Sequence, residues 1–267
     1  MEFKYIDIHT HVNLEAFEND FDMVAMNALR EGVAYINVGT GRDTSARAVE
    51  LVTKGVYATI GLHPVRAGGH TDDDGAKPEV FDRAYYEGLG NASGVVAIGE
   101  CGLDYFRVEK KTKEMQEEAF IAQIALANDL KKPLMLHIRD VQGSMGAYED
   151  AVSILKSYAK VPGNVHFFAG TYDVAKQFWE IGYTTSFTGV ITFANQYDDT
   201  IQKAPIEMLH AETDAPYVAP KPFRGQRNEP LHVREVYRRI AELRGEDAEM
   251  VRLSLLKNAE KLFKITL

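Results

Sequence analysis

The chain has 267 residues, 45% of them hydrophobic and 26% charged, with a formal net charge of −9 at pH 7. The length suits one α/β barrel domain over residues 1–267, and the composition is that of a soluble globular protein able to bury a large core. The acidic balance argues against a broad basic footprint on duplex DNA, though not against a narrow site where cations and a few arginines meet one phosphodiester.

The N-terminus runs from Met1-Glu2-Phe3 to Asp7 without the basic start and apolar stretch of a signal peptide. No apolar run approaches membrane-spanning length, so a cytoplasmic protein without a membrane partner is expected. Eight runs rich in apolar and β-branched residues are predicted as strands: Phe3–His9, Val33–Val38, Val56–Leu62, Val95–Glu100, Pro133–His137, Asn164–Phe168, Tyr183–Phe187 and Met208–Asp214.

Segments of helical spacing lie between them. Asp43-Thr44 is placed to cap a helix carrying Ala46, Val49 and Val52 that ends near Gly55. From about Lys113, a second helix gathers Phe120, Ile121, Ile124 and Leu130 on one side. Asn228-Glu229-Pro230 opens a third, with Val233, Val236, Tyr237, Ile240 and Leu243 as its buried stripe. A last helix, Asp247 to Phe263, buries Val251, Leu255, Leu262 and Phe263. Strand followed by helix, repeated eight times, implies parallel strands, and the economical closed form is a (β/α)₈ TIM barrel. No Gly-x-Gly-x-x-Gly or P-loop pattern opens a helix, so no nucleotide cofactor is expected. Two long connections would emerge at the C-terminal rim, where barrel enzymes place their sites. One is His63 to Pro78, with Asp72-Asp73-Asp74; the other is Ala215 to Pro230, with Lys221, Arg224 and Arg227.

The ionisable residues converge on that rim. His9 and His11, two apart in extended chain, point to one face. His63 ends strand three, Glu100 strand four and His137 strand five; His166 lies on strand six and Asp214 ends strand eight. Imidazole and carboxylate donors suit borderline divalent cations. The expected division puts His9, His11 and Asp214 on one ion and His137 and His166 on the other, with Glu100 bridging and Glu100 and Asp214 catalytic. Asp7 is expected deeper, orienting a ligand. Cys101, the one cysteine, should point into the barrel–helix layer. It cannot form an intrachain disulfide, which fits a reducing compartment. His63, Arg139, Arg224 and Arg227 are assigned to substrate, and His70, His210 and His232 to no role.

Six blocks in order resemble the TatD family of metal-dependent deoxyribonucleases: Ile6-Asp7-Ile8-His9-Thr10-His11, Gly61-Leu62-His63-Pro64, Ala97 through Tyr105, Pro133 through Asp140, Glu212-Thr213-Asp214-Ala215-Pro216-Tyr217 and Arg224 through Pro230. The resemblance implies a TIM barrel with metal ligands at His9, His11, Glu100, His137, His166 and Asp214. It further implies a nuclease cutting DNA at strand ends with water activated by two divalent ions, Zn, Mn or Mg. One block departs: where members usually carry His-Cys-Phe-Ser-Gly, this chain reads His166-Phe167-Phe168-Ala169-Gly170. The alternative activity is hydrolysis of a small-molecule ester, amide or lactone on the same barrel.

Overall fold

Eight apolar runs pair in chain order, every neighbour parallel: β1 (Tyr5–Thr10), β2 (Val33–Val38), β3 (Val56–Ile60), β4 (Val95–Asp104), β5 (Leu134–Arg139), β6 (Gly163–Val165), β7 (Tyr183–Phe187) and β8 (Leu209–Ala211). The structure, a computed structural model, describes residues 3–71, 75, 77–106 and 112–267; the Asp72-Asp73-Asp74 run lies outside the described residues. The barrel closes through the segment that follows β8. Asp214 N donates to His9 O at 2.9 Å, and His11 N donates to Ala215 O at 2.7 Å. Three of the residues expected at the metal site, His9, His11 and Asp214, therefore sit on the seam itself.

Helices fill the crossovers: α1 (Phe21–Arg30), α2 (Arg42–Glu50), α3 (Pro64–Ala67), α4 (Arg83–Gly90), α5 (Lys113–Leu130), α6 (Gly146–Tyr158), α7 (Tyr172–Glu180), α8 (Asp198–Lys203), α9 (Val233–Arg244) and α10 (Ala248–Phe263). Asp247 caps α10, its Oδ1 accepting from Glu249 N and Met250 N, as Asp at that position should. The helix expected to be capped by Asp43-Thr44 is capped at Gly41 and begins at Arg42, with Thr44 Oγ1 accepting from Thr40 N and Gly41 N from its third position. Its fully buried residues are Ser45 and Ala48, not the expected stripe of Ala46, Val49 and Val52. Among the described residues, no helix is long and apolar enough to cross a membrane.

Side chains alternate across each strand, so the core has two layers. Tyr35, Ile60, Leu134 and Leu136 pack outward against Ala48, Phe120, Ile124 and Leu155 of the helices. Cys101 belongs to this layer and is fully buried, as expected. Ile6, Ile8, Ala34, Ile36 and Met135 form a second cluster with Leu262 and Phe263 of α10, which lies toward the N-terminal ends of the strands. Burying each such side chain stabilises the fold by about 1.5–3 kcal/mol. With one end packed solid, the opposite, C-terminal end holds the cavity.

Strand ends differ from expectation where the site begins. β3 stops at Ile60, β6 at Val165 and β8 at Ala211, so His63, His166 and Asp214 lie just beyond their strands. The backbone turns away there, with φ of +42° at Phe167 and +54° at Asp214. Conversely, β4 runs four residues past Glu100 to Asp104.

Candidate metal centre

Glu100 stands at the middle of the site and divides it. Its Oε2 faces His9 Nε2 at 3.5 Å and His11 Nε2 at 3.7 Å. Its Oε1 faces His137 Nδ1 at 2.9 Å, His166 Nε2 at 3.0 Å and His63 Nε2 at 3.4 Å. Asp214 Oδ1 joins the first set, 3.4 Å from His11 Nε2 and 3.8 Å from His9 Nε2. All six residues expected as ligands are thus brought together, with His63 beside them.

Backbone constraints put Glu100 there. Gly99 has φ of +144°, and a Cβ on it would meet Met135 O at 2.2 Å; on Gly102, with φ of +140°, a Cβ would meet His137 O at 2.1 Å. Both clashes are with the backbone of β5, so only glycine lets β4 approach closely enough to set Glu100 against His137.

Two of the remaining ring nitrogens are hydrogen-bonded, and a third faces a carboxylate, on acceptors that sequence reasoning did not single out; His9 Nδ1 has no partner among the described residues. His11 Nδ1 donates to Val38 O at 3.0 Å. His137 Nε2 lies 3.0 Å from Asp104 Oδ2, and Asp104 is buried at the end of β4. His166 Nδ1 lies 3.5 Å from Glu212 Oε1, while Glu212 also accepts from Phe167 N and Ser186 Oγ. Asp104 and Glu212 sit in the quoted blocks, and a signal for them existed: an acid four residues after Glu100 and another two before Asp214. Asp7 is buried but does not touch an imidazole. It accepts from His9 N and Thr213 N, and so fixes the backbone carrying His9 and Asp214.

This donor set fits divalent cations. With its proton committed to Val38 O, His11 presents a bare lone pair at Nε2, only 3.1 Å from His9 Nε2. His137, with Nε2–H on Asp104, likewise aims a lone pair from Nδ1 at a carboxylate oxygen. Imidazole nitrogens and carboxylate oxygens crowded this way suit a cation between them, and paired outer nitrogens are the usual support for imidazole ligands. Three overlapping sets have donors close enough to share an ion: His9–His11–Glu100, His9–His166–Asp214 and His63–Glu100–His137. His63 differs in tautomer. Its Nδ1 accepts from Val65 N, which leaves the proton on the Nε2 that faces Glu100.

The charges reinforce the geometry. Burial would raise the Glu100 carboxyl, yet the imidazoles crowded around it, His166 and His63 foremost, hold it well below the usual range. Burial, with His166 nearby, pushes His9 down to about 3. A carboxylate kept ionised under full burial needs positive charge or hydrogen-bond donors around it, which the surrounding imidazoles supply and a cation could share.

A cavity of about 640 Å³ opens above these groups, lined by His11, Glu100, His166 and Asp214 at its floor. Of the residues assigned to substrate, His63 and Arg139 line it; Arg224 and Arg227 are not among its walls. Arg227 is spent on structure, pairing with Asp20 at 2.6 Å and Glu229 at 3.1 Å and donating to Ala16 O. Arg224 donates to Ala219 O and lies over the Phe193 ring, 4.1 Å from its centroid. The post-β8 loop lines the cavity with Tyr217 and Val218 but turns these two arginines toward other neighbours.

A parallel eight-stranded barrel with buried histidine and carboxylate donors at its C-terminal end defines a metal-dependent hydrolase. The profile of the family described as TatD related DNase matches residues 6–264, and the chain belongs to that family. It is 38% identical over 266 residues to the uncharacterized metal-dependent hydrolase YabD of Bacillus subtilis, covering 97% of this chain and 98% of the other. It is 32% identical over 272 residues to the 3'-5' ssDNA/RNA exonuclease TatD of Pectobacterium parmentieri, covering 97% and 99%. The crystal structure of the TatD homologue YjjV from Escherichia coli matches with a TM-score of 0.85 at 29% identity, covering 99% and 100%.

Proposed function

We propose that the chain is a nuclease that hydrolyses DNA phosphodiester bonds from strand ends with two divalent ions, Zn, Mn or Mg. The observation that carries this reading is the division of Glu100, whose two oxygens face two separate groups of imidazoles. In this arrangement His9, His11 and Asp214 would hold one ion and His137 and His166 the other, with Glu100 placed to serve both. Ions bound there supply Lewis acidity at phosphoryl oxygens and lower the pKa of water.

The chain's own groups do the rest. Asp214, at the cavity floor, takes the proton of the attacking water as the water oxygen bonds phosphorus, the P–O bond to the leaving nucleotide breaks, and the departing oxygen takes a proton from solvent. His63 offers its Nε2–H to a phosphoryl oxygen, and Arg139 meets the neighbouring phosphate. The name of the Pectobacterium relative supports both the nucleic-acid substrate and the attack from an end. A cavity of about 640 Å³ also suits a nucleotide-sized group better than a duplex.

The test is hydrolysis of 3'- and 5'-labelled oligonucleotides by the metal-loaded protein, beside a panel of esters, amides and lactones. Progressive shortening from one end is the expected result. Turnover confined to the small-molecule panel would replace the nuclease reading with the alternative.

A further inference from the structure

The cavity has an apolar, uncovered wall that the hydrolytic centre does not use. Phe106 is 49% exposed and Val141 47%, and both line the cavity that holds Glu100 and Asp214. The Arg139 guanidinium carbon lies 4.1 Å from the Phe106 ring centroid. Unlike Arg227, Arg139 has no carboxylate partner among the described residues.

Phe106 is also tied to the centre. Its backbone N–H donates to Asp104 Oδ1 at 3.0 Å, and the other oxygen of that carboxylate meets His137 Nε2 at 3.0 Å. One buried carboxylate therefore sets both an imidazole of the metal cluster and the place where the aromatic ring leaves the barrel. A half-exposed ring at a fixed offset from the reacting centre, backed by a cation free of acid partners, matches what an unpaired base and its phosphate require.

We propose that Phe106 and Arg139 form a stacking subsite for the nucleobase adjoining the scissile phosphate. The base lies on the ring, and the guanidinium meets the phosphate that links it to the strand. This inference rests on the nuclease reading and deepens it. The subsite engages the base by its π-face, so it accepts any sequence, demands an unpaired end and favours purines, which offer more area.

The test measures kcat and KM for a single-stranded oligonucleotide and for the same strand with the terminal bases removed at both ends. The wild-type KM should rise about 5- to 150-fold on base removal, the factor that about 1–3 kcal/mol per stacked base represents. Phe106→Ala should raise KM for the intact strand by a similar factor and leave KM for the abasic strand unchanged, with Phe106→Trp restoring the intact value. A wild-type KM that ignores base removal would overturn the subsite without reference to any variant. So would a Phe106→Ala effect equal on both strands. Cleavage of neither strand by the wild-type protein would remove the nuclease reading and this inference with it, whereas cleavage of both with equal KM removes the inference alone.

Discussion

Asp104 Oδ2 lies 3.0 Å from His137 Nε2, while the other nitrogen of the same ring meets Glu100 at 2.9 Å. The buried acid holds the proton on Nε2 and turns the Nδ1 lone pair toward the centre. Asp104→Ala should weaken binding of the second ion about 10–100-fold. Titration of the protein with Mn²⁺ or Zn²⁺ measures this directly, and an unchanged affinity would make Asp104 a packing residue.

Gly99→Ala tests the approach of β4 to β5. Its φ of +144° and the 2.2 Å contact of an added Cβ with Met135 O leave no neighbour able to yield except the β5 backbone. The variant should lose roughly 2–4 kcal/mol of stability, combining backbone strain with overpacking. Urea unfolding would show it as a lower midpoint; a midpoint equal to wild type would mean that β4 can reach Glu100's position by another backbone path.

His210 sets a pH dependence unrelated to metal. Its ring is fully buried, tilted against Phe263 with centroids 6.3 Å apart. Burial pushes it down from 6.5 to about 3, so the folded protein holds it neutral while the unfolded chain binds a proton below about 6.5. Stability therefore falls as pH drops from about 6.5 toward 3, by about 1.4 kcal/mol per pH unit from this one group. His210→Leu should flatten the acid limb of the stability profile by that slope. Parallel profiles for the two proteins would show that the ring is protonated in the fold.

Arg227 and Arg139 should separate cleanly. Arg227→Ala should leave KM for an oligonucleotide unchanged and lower Tm at neutral pH. The Arg227 hydrogen bond holds Asp20 below its ordinary value, so this stabilisation is present above the unfolded carboxylate range and fades as pH falls through the folded value. Arg139→Ala should do the reverse, raising KM with Tm preserved. A KM effect for Arg227→Ala would return Arg227 itself to the substrate site.

Much of this was legible in the sequence because it depends on period and spacing. Val33–Val38 and Tyr183–Phe187 are strands as read, α10 follows Asp247, and the six predicted ligands meet around Glu100. What escaped depends on three-dimensional partners. Asp104 reads as an ordinary acid until β4 extends past Glu100 and sets the Asp104 backbone in register with that of Arg139 on β5, bringing its carboxylate to His137. Arg227 reads as an exposed cation until Asp20, far away in sequence, closes on it. The ends of β6 and β8 were drawn too long because Phe167 and Asp214 adopt left-handed backbone, a choice that the local residue types do not announce.

The central claim is that Glu100 joins two ions, and metal content measured alongside turnover tests it most directly. Elemental analysis of the purified, metal-loaded protein should give two divalent ions per chain. Glu100→Gln should fold normally, bind fewer ions and lose nearly all hydrolysis of a labelled oligonucleotide. Retention of two ions and most wild-type turnover by Glu100→Gln would contradict the account.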